Sequence, residues 1–379
     1  MQKIYYSTHR IVNFNHKKIM KTLAIETSCD DTSIWIVNFD WTTFTVDKLL
    51  AYSQVREHNE FGWVVPEIAS RLHSEKIIAV LTEIGRENIK NVDFISVTTH
   101  PGLPWSLVVW ETVANLLWEY FNKKVVKINH IVWHVLALLL ERNVNEIEFP
   151  MMVLTASGGH NNIYYIRKNM EWLPVSEDIK QWPFTLTKVG QTLDDAAWEC
   201  FDKVSRMLGW PYPWGLRISQ QAALWHPNKE FELHRIWLDN DKFEFSFSGT
   251  KAQMNQIIRK QEEKVWRTEN IFSEDEIHDI AYEFQESVVE ILAKKLIRAA
   301  IKYNVKTIWL SGWVSANDRL KEAILELLDN EIRLKNQIHE FGTVEQLWNF
   351  KPKLFTPIKK VYCTDNAAMI WVAWILSNK

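Results

Sequence analysis

Two histidines, His130 and His134, stand four residues apart in a run that reads as a helix over 130–142. At that spacing both imidazoles leave one helix face and reach a single cation. The same spacing also suits two histidines on a helix face that hold no ligand, and it does not decide between them. The zinc-peptidase pattern His-Glu-x-x-His is absent, because Ile131 follows His130. A metal-dependent peptidase would therefore lack its adjacent general base. Asp365, in Cys363-Thr364-Asp365-Asn366 ahead of a helix expected over 366–376, has the chemistry of a third ligand. It has equally the chemistry of a helix N-cap.

Other segments offer anion contacts. Ser157-Gly158-Gly159-His160 follows a buried strand, and its small residues let backbone N–H groups approach an anion, though such turns also make plain hairpins. Ser311-Gly312-Trp313-Val314-Ser315-Ala316-Asn317 is a second strand-turn-helix junction suited to phosphate or ribose. No Gly-x-x-x-x-Gly-Lys-[Ser/Thr] occurs, which disfavours a P-loop nucleotidase. The polar turn Thr27-Ser28-Cys29-Asp30-Asp31-Thr32 carries paired carboxylates after a buried strand. Asp194, Asp195, Glu199 and Asp202 fall in a helix expected over 192–209 and read mainly as a solvated face, with an inward acid as the alternative. Phe245–Gly249 reads as a strand ending in a glycine turn. Lys294, Lys295, Arg298 and Lys302 read as a solvated basic face of one long helix.

The elements that must position these groups come in two rounds of strands followed by helices. Strands are expected at 22–26, 33–38, 44–51, 92–98 and 125–128, with helices at 66–89 and 104–122. After Pro150 come strands at 151–155, 163–166 and 306–310, and helices at 192–209, 215–224, 274–304 and 314–329. This order argues for two α/β domains joined near 143–150. The first comprises 21–145 with 364–379; the second is 146–363, interrupted by a polar insertion at 330–352.

The chain has 379 residues, 47% of them apolar and 24% charged, which excludes a disordered chain. Its net charge of −3 lacks the basic field of a protein that grips nucleic acid by itself, so an RNA substrate calls for a local patch or partners. Three widely spaced cysteines argue for a reducing, cytoplasmic compartment. The most apolar stretch, Ile128–Leu140, is too short to span a bilayer and holds both histidines. Residues 1–19 carry basic and no acidic side chains. They read as non-native or disordered sequence ahead of Met20 rather than as a transit peptide.

Taken in order, nine segments resemble one family. They are Ile25–Thr32, Val64–Arg71, Pro101–Pro104, Asn129–His134, Ser157–His160, Gly190–Ala197, Phe245–Gly249, Val314–Asn317 and Cys363–Met369. The family is the tRNA N6-adenosine threonylcarbamoyltransferases (TsaD-type), formerly described as O-sialoglycoprotein endopeptidases. The resemblance implies two actin/Hsp70/sugar-kinase-like α/β domains with the active site in the cleft between them. It implies transfer of threonylcarbamoyl from threonylcarbamoyl-AMP to N6 of adenosine 37, in tRNAs reading codons that begin with A. By position it makes His130, His134 and Asp365 the ligands of an iron (or zinc) ion. Thr155, Ala156, Ser157, Gly158, Gly159, Asp202, Gly215 and Asn317 become the substrate-binding set. Asp30 and Asp31 become the acidic pair that assists proton transfer, although the family commonly has Glu where Asp31 stands. Implied partners are tRNA and the subunits of a bacterial threonylcarbamoyl transfer complex, a TsaD-like paralogue and a small ATPase. A non-catalytic scaffold subunit and a metallopeptidase are the competing readings.

One count is out of line. There are 11 glycines where about 27 are usual, and 20 tryptophans. Trp63, Trp105, Trp110, Trp133, Trp198, Trp210, Trp214, Trp313 and Trp371 stand where the family usually has glycine. Random substitution does not convert one residue type so selectively. The expectation is that the source reads UGA as glycine and that the translation rendered it as tryptophan.

Overall fold

Two five-stranded sheets carry the chain, and both follow one strand plan. In the first, β1 (Met20–Glu26) is the middle strand. The antiparallel strands β2 (Thr32–Phe39) and β3 (Phe44–Tyr52) lie on one side of it. The parallel strands β4 (Phe94–His100) and β5 (Lys124–Asn129) lie on the other. In the second, β6 (Met151–Ser157) takes the middle place. The antiparallel β7 (His160–Lys168) and β8 (Phe184–Gln191) flank it on one side, and the parallel β9 (Thr307–Ser311) and β10 (Lys353–Phe355) on the other. A middle strand with an antiparallel ribbon on one side and a parallel pair on the other, repeated once, is the actin-like α/β plan that the resemblance implies. The computed structural model describes residues 19–61, 64–131, 134, 137–157, 160–168, 184–210, 214–225, 231–235, 242–265, 271–312, 317–329, 351–359 and 362. Residues 1–18, Gly158, Gly159, the expected insertion as far as 350 and the segment 363–379 with Asp365 lie outside them.

The helices begin and end where local chemistry directs. After the single turn α1 (Val55–Asn59), α2 (Pro66–Ile84) starts on a proline whose fixed φ suits the first helical position. It stops at Gly85, whose φ of 86° few side chains tolerate, so the one helix expected over 66–89 is split, with α3 (Arg86–Lys90) as its second piece. α4 (Pro104–Phe121) also starts on proline, and Asn122 closes it in the left-handed region. In the second half lie α5 (Ala197–Met207), α6 (Trp214–Ala222), α7 (Ser248–Val265), α8 (Glu274–Lys302) and α9 (Asp318–Asp329). Ser273 and Glu276 cap the N-terminus of α8 reciprocally.

Three apolar cores result. One packs α2 and α4 on the outer face of the first sheet through Val80, Ile84 and Ala114. Another wraps α5, α8 and α9 on the second sheet. A third lies between the sheets and joins Val37, Phe39 and Phe44 to Leu138, Leu140, Val153, Tyr164 and Ile166.

Several expectations are corrected. The helix expected over 192–209 begins only at Ala197, so Asp194 and Asp195 stand in the turn before it. Neither forms a solvated helix face. Asp194 accepts the Phe247 backbone N–H at 2.8 Å and the hydroxyls of Ser246 and Ser248, and Asp195 pairs with Lys203 and Lys251. Phe245–Gly249 contributes a single bridge residue and then the start of α7, an 18-residue helix absent from the sequence reading. The basic stretch of α8 is not a solvated face throughout, because this helix runs through the core and buries residues all round. Lys295 is fully buried, donates to the Lys242 carbonyl at 2.8 Å, and has its pKa pushed down by burial to about 8. The helix expected over 130–142 is borne out at His130, Ile131 and His134, which are helical, and gives way to a 3-10 turn at Ala137–Leu139.

Candidate functional site

The parallel strands β1, β4 and β5 end on the same edge of the first sheet, the edge where α/β folds place ligands. β1 ends in Glu26, whose carboxylate is buried. Its Oε1 accepts the Ser28 backbone N–H at 2.6 Å. Its Oε2 accepts the Thr98 hydroxyl from β4 and faces Nδ1 of His130, just past β5, at 3.4 Å. The other ring nitrogen of His130 meets its counterpart in His134, Nε2 to Nε2, at 3.1 Å with the rings nearly perpendicular. Both histidines are buried.

That separation tests the metal expectation. Two imidazoles bound at ~2.0–2.1 Å to one cation, with ordinary tetrahedral or octahedral angles, hold their nitrogens about 3.0–3.4 Å apart. The pair therefore fits a shared ion, with Glu26 in the place of the carboxylate that commonly holds a ligating histidine from behind. Among the described residues no third His, Cys, Asp or Glu completes the group. Asp365, the expected third ligand, lies outside them.

The acidic pair sits on the turn between β1 and β2, where Asp30 and Asp31 are partly exposed. Besides Glu26, two neighbouring segments fix this turn. The Leu103 N–H bonds the Ser28 carbonyl at 2.7 Å, and the segments approach so closely that a Cβ on Gly102 would lie 2.5 Å from that oxygen. From α2, the fully buried His73 places Nε2 2.9 Å from the Cys29 carbonyl and Nδ1 2.7 Å from the Thr32 hydroxyl. A carbonyl only accepts, so Nε2 carries the proton and Nδ1 accepts from Thr32. Burial holds the His73 pKa below its ordinary value and keeps the ring neutral.

On the second sheet, Thr155 and Ala156 are buried near the end of β6, and Thr155 lies opposite Ser311 of β9. The Ser157 backbone pairs with His160; Gly158 and Gly159 lie outside the described residues. Asp202 accepts the Gly215 N–H at 2.9 Å, and burial pushes its pKa up to about 6. Asn317 donates to Ser219 at 3.3 Å and to Gln285 at 3.0 Å, and accepts the Arg319 N–H at 2.9 Å. Since Gly215 and Ser219 share α6, that helix brings Asp202 and Asn317 into one neighbourhood. One hydrogen bond links the two halves here: Trp309 of β9 donates its indole N–H to the His134 carbonyl at 3.1 Å.

Glu26, Thr98 and His73 were not among the residues assigned a role from sequence. An acid closing an otherwise apolar strand was the available signal for Glu26. His73 gave none, because it is one polar residue on a helix.

The comparisons agree on one relationship. The family model for tRNA N6-adenosine threonylcarbamoyltransferase matches residues 48–372. The protein of that name from Syntrophomonas wolfei is 36% identical over 352 residues, covering 92% of this chain and 89% of its own. Its namesake from Bacillus licheniformis is 35% identical, with 95% and 92% covered. That from Mesoplasma florum is 35% identical, with 93% and 96% covered. A chain that pairs two imidazoles at one sheet edge and matches these relatives over nearly its whole length belongs to the tRNA N6-adenosine threonylcarbamoyltransferase family.

Proposed function

We propose that this protein transfers the threonylcarbamoyl group of threonylcarbamoyl-AMP to N6 of adenosine 37, in tRNAs reading codons that begin with A. The observation that carries the reading is the family match over residues 48–372, with the buried His130–His134 pair at the sheet edge. The donor is a mixed anhydride and already activated, so the protein needs no covalent nucleophile. Its tasks are orientation and charge stabilisation. The adenine N6 nitrogen attacks the carbamoyl carbon, the bond from that carbon to the phosphate oxygen breaks, and AMP leaves. Asp30 or Asp31 takes the proton lost by the amine. Thr155 to Gly159, Asp202, Gly215 and Asn317 bind the adenylate. His130, His134 and Asp365 hold an iron or zinc ion, which supplies a Lewis acid when bound.

A net charge of −3 leaves tRNA binding to a local patch and to partner subunits, a TsaD-like paralogue and a small ATPase. The cytoplasm is the proposed location; among the described residues no helix is long and apolar enough to cross a membrane. The test is formation of threonylcarbamoyl-adenosine on purified tRNA, with threonylcarbamoyl-AMP and the partner subunits supplied. Product at position 37 supports the reading. No product under conditions where a relative's protein works overturns it.

A further inference from the structure

One carboxylate touches both parts of the first-sheet site. Glu26 Oε1 holds the Ser28 N–H of the turn that carries Asp30 and Asp31, while Oε2 faces Nδ1 of His130. An imidazole next to a carboxylate oxygen places its N–H there, and a neutral ring then has its lone pair on the other nitrogen. In His130 that nitrogen is Nε2, the atom turned toward His134.

We propose that Glu26 is a positioning residue that fixes His130 in the Nδ1–H tautomer, aiming the Nε2 lone pair toward His134, where a shared cation would sit, while its second oxygen holds the acidic turn in register. The inference rests on the transferase reading only in naming the site; the tautomer and its effect on a cation are independent of substrate. Thr98 adds a donor to Oε2, which pins the carboxylate and leaves its second oxygen to Ser28. Three strand ends, those of β1, β4 and β5, are thereby fixed to one side chain.

The substitution Glu26→Gln separates the two arms. Its amide keeps one oxygen, and the Ser28 N–H demands an acceptor, so that oxygen turns toward Ser28. The NH2 then faces Thr98, whose hydroxyl can accept, and His130, whose Nδ1 must now accept. The tautomer inverts and Nε2 carries the proton.

Imidazole nitrogen spectra of the 15N-histidine-labelled, metal-free full chain read this directly. Wild type is expected to show His130 protonated on Nδ1, and the Gln variant to show it on Nε2. Titration with Co(II) alone, followed by its absorption spectrum, is expected to show affinity lowered ~10–100-fold in the Gln variant. If that variant does not fold, Glu26→Asp serves: it keeps the charge but withdraws the oxygens from His130, and the same inversion is expected. A wild-type His130 protonated on Nε2 overturns the proposal. So does a folded variant with unchanged tautomer and unchanged Co(II) affinity. Neither measurement uses tRNA or donor, so a wild-type protein that binds Co(II) as described yet transfers nothing would sink the transferase reading and leave this one standing.

Discussion

The Asp202 carboxylate accepts the Gly215 backbone N–H at 2.9 Å and so ties the middle of α5 to the first turn of α6. The acid pays for this place with desolvation, which raises its pKa to about 6. A raised carboxyl pKa means that the native state holds its proton more tightly than the unfolded chain does. Stability from this group is therefore greatest below pH ~4 and falls as pH rises toward ~6, by on the order of 2–3 kcal/mol. Replacing Asp202 by Asn removes that loss. Urea unfolding of both proteins at pH 4.5 and pH 7 checks it: the variant's relative stability should be higher at pH 7 than at pH 4.5. Equal differences at the two values would contradict the assignment.

His73 titrates with the opposite consequence. Burial depresses its pKa, so the neutral ring stabilises the fold above the unfolded value of ~6.5, and stability is lost as pH falls below it. His73→Gln can still donate to the Cys29 carbonyl and should flatten the stability profile between pH 7 and 5.5. His73→Leu strands the Cys29 carbonyl and the Thr32 hydroxyl, at about 1–3 kcal/mol. Thermal unfolding across that pH range distinguishes the two variants.

Asp30 and Asp31 stand on a turn that Glu26, His73 and Leu103 hold through its backbone, so changing them should spare most of the fold. The substitutions Asp30→Ala and Asp31→Ala are expected to lower the transfer rate, ~10²–10⁴-fold for the member that takes the proton. The unfolding midpoint should stay near that of wild type. Single-turnover transfer to tRNA measures this, and unchanged rates in both variants remove the pair from proton transfer.

The tryptophan surplus makes a prediction about the gene. Trp110 is fully buried on α4, and its indole N–H has no hydrogen-bond partner among the described residues. Buried indoles usually find a partner. The ring of Trp198 lies so near Gly215 that a Cβ there would be 3.0 Å from it. Trp110 and Trp198 are among the nine positions where the resemblance leads one to expect glycine. UGA codons at the nine positions, and an intact mass of the native protein reduced by the matching Trp-to-Gly differences, are expected. UGG codons would reject the idea.

Eight of the ten strands among the described residues were legible because apolar runs and proline starts are local signals, as in β1, β6 and α4; β8 and β10 were missed. Helix α7 was missed as well, because its N-terminus is capped from a distance by Asp194, while Phe245–Phe247 alternates like a strand. Lys295 was misread because the charge pattern of α8 carries no information on what packs around it. At the site, spacing alone paired His130 with His134, and their ring nitrogens do meet. The role of Glu26 was hidden, since it exists only once β1, β4 and β5 align their ends.

The core shared by the two sheets bears on how the protein can be handled in pieces. Phe39 and Phe44 on one side and Tyr164 and Ile166 on the other are covered by each other's sheets. A fragment that stops near Pro150 would present its half of that surface to water as a contiguous oily patch, of the kind that drives aggregation. Expression of either half alone should therefore give insoluble material, and co-expression of the two halves should restore solubility by letting each mask the other.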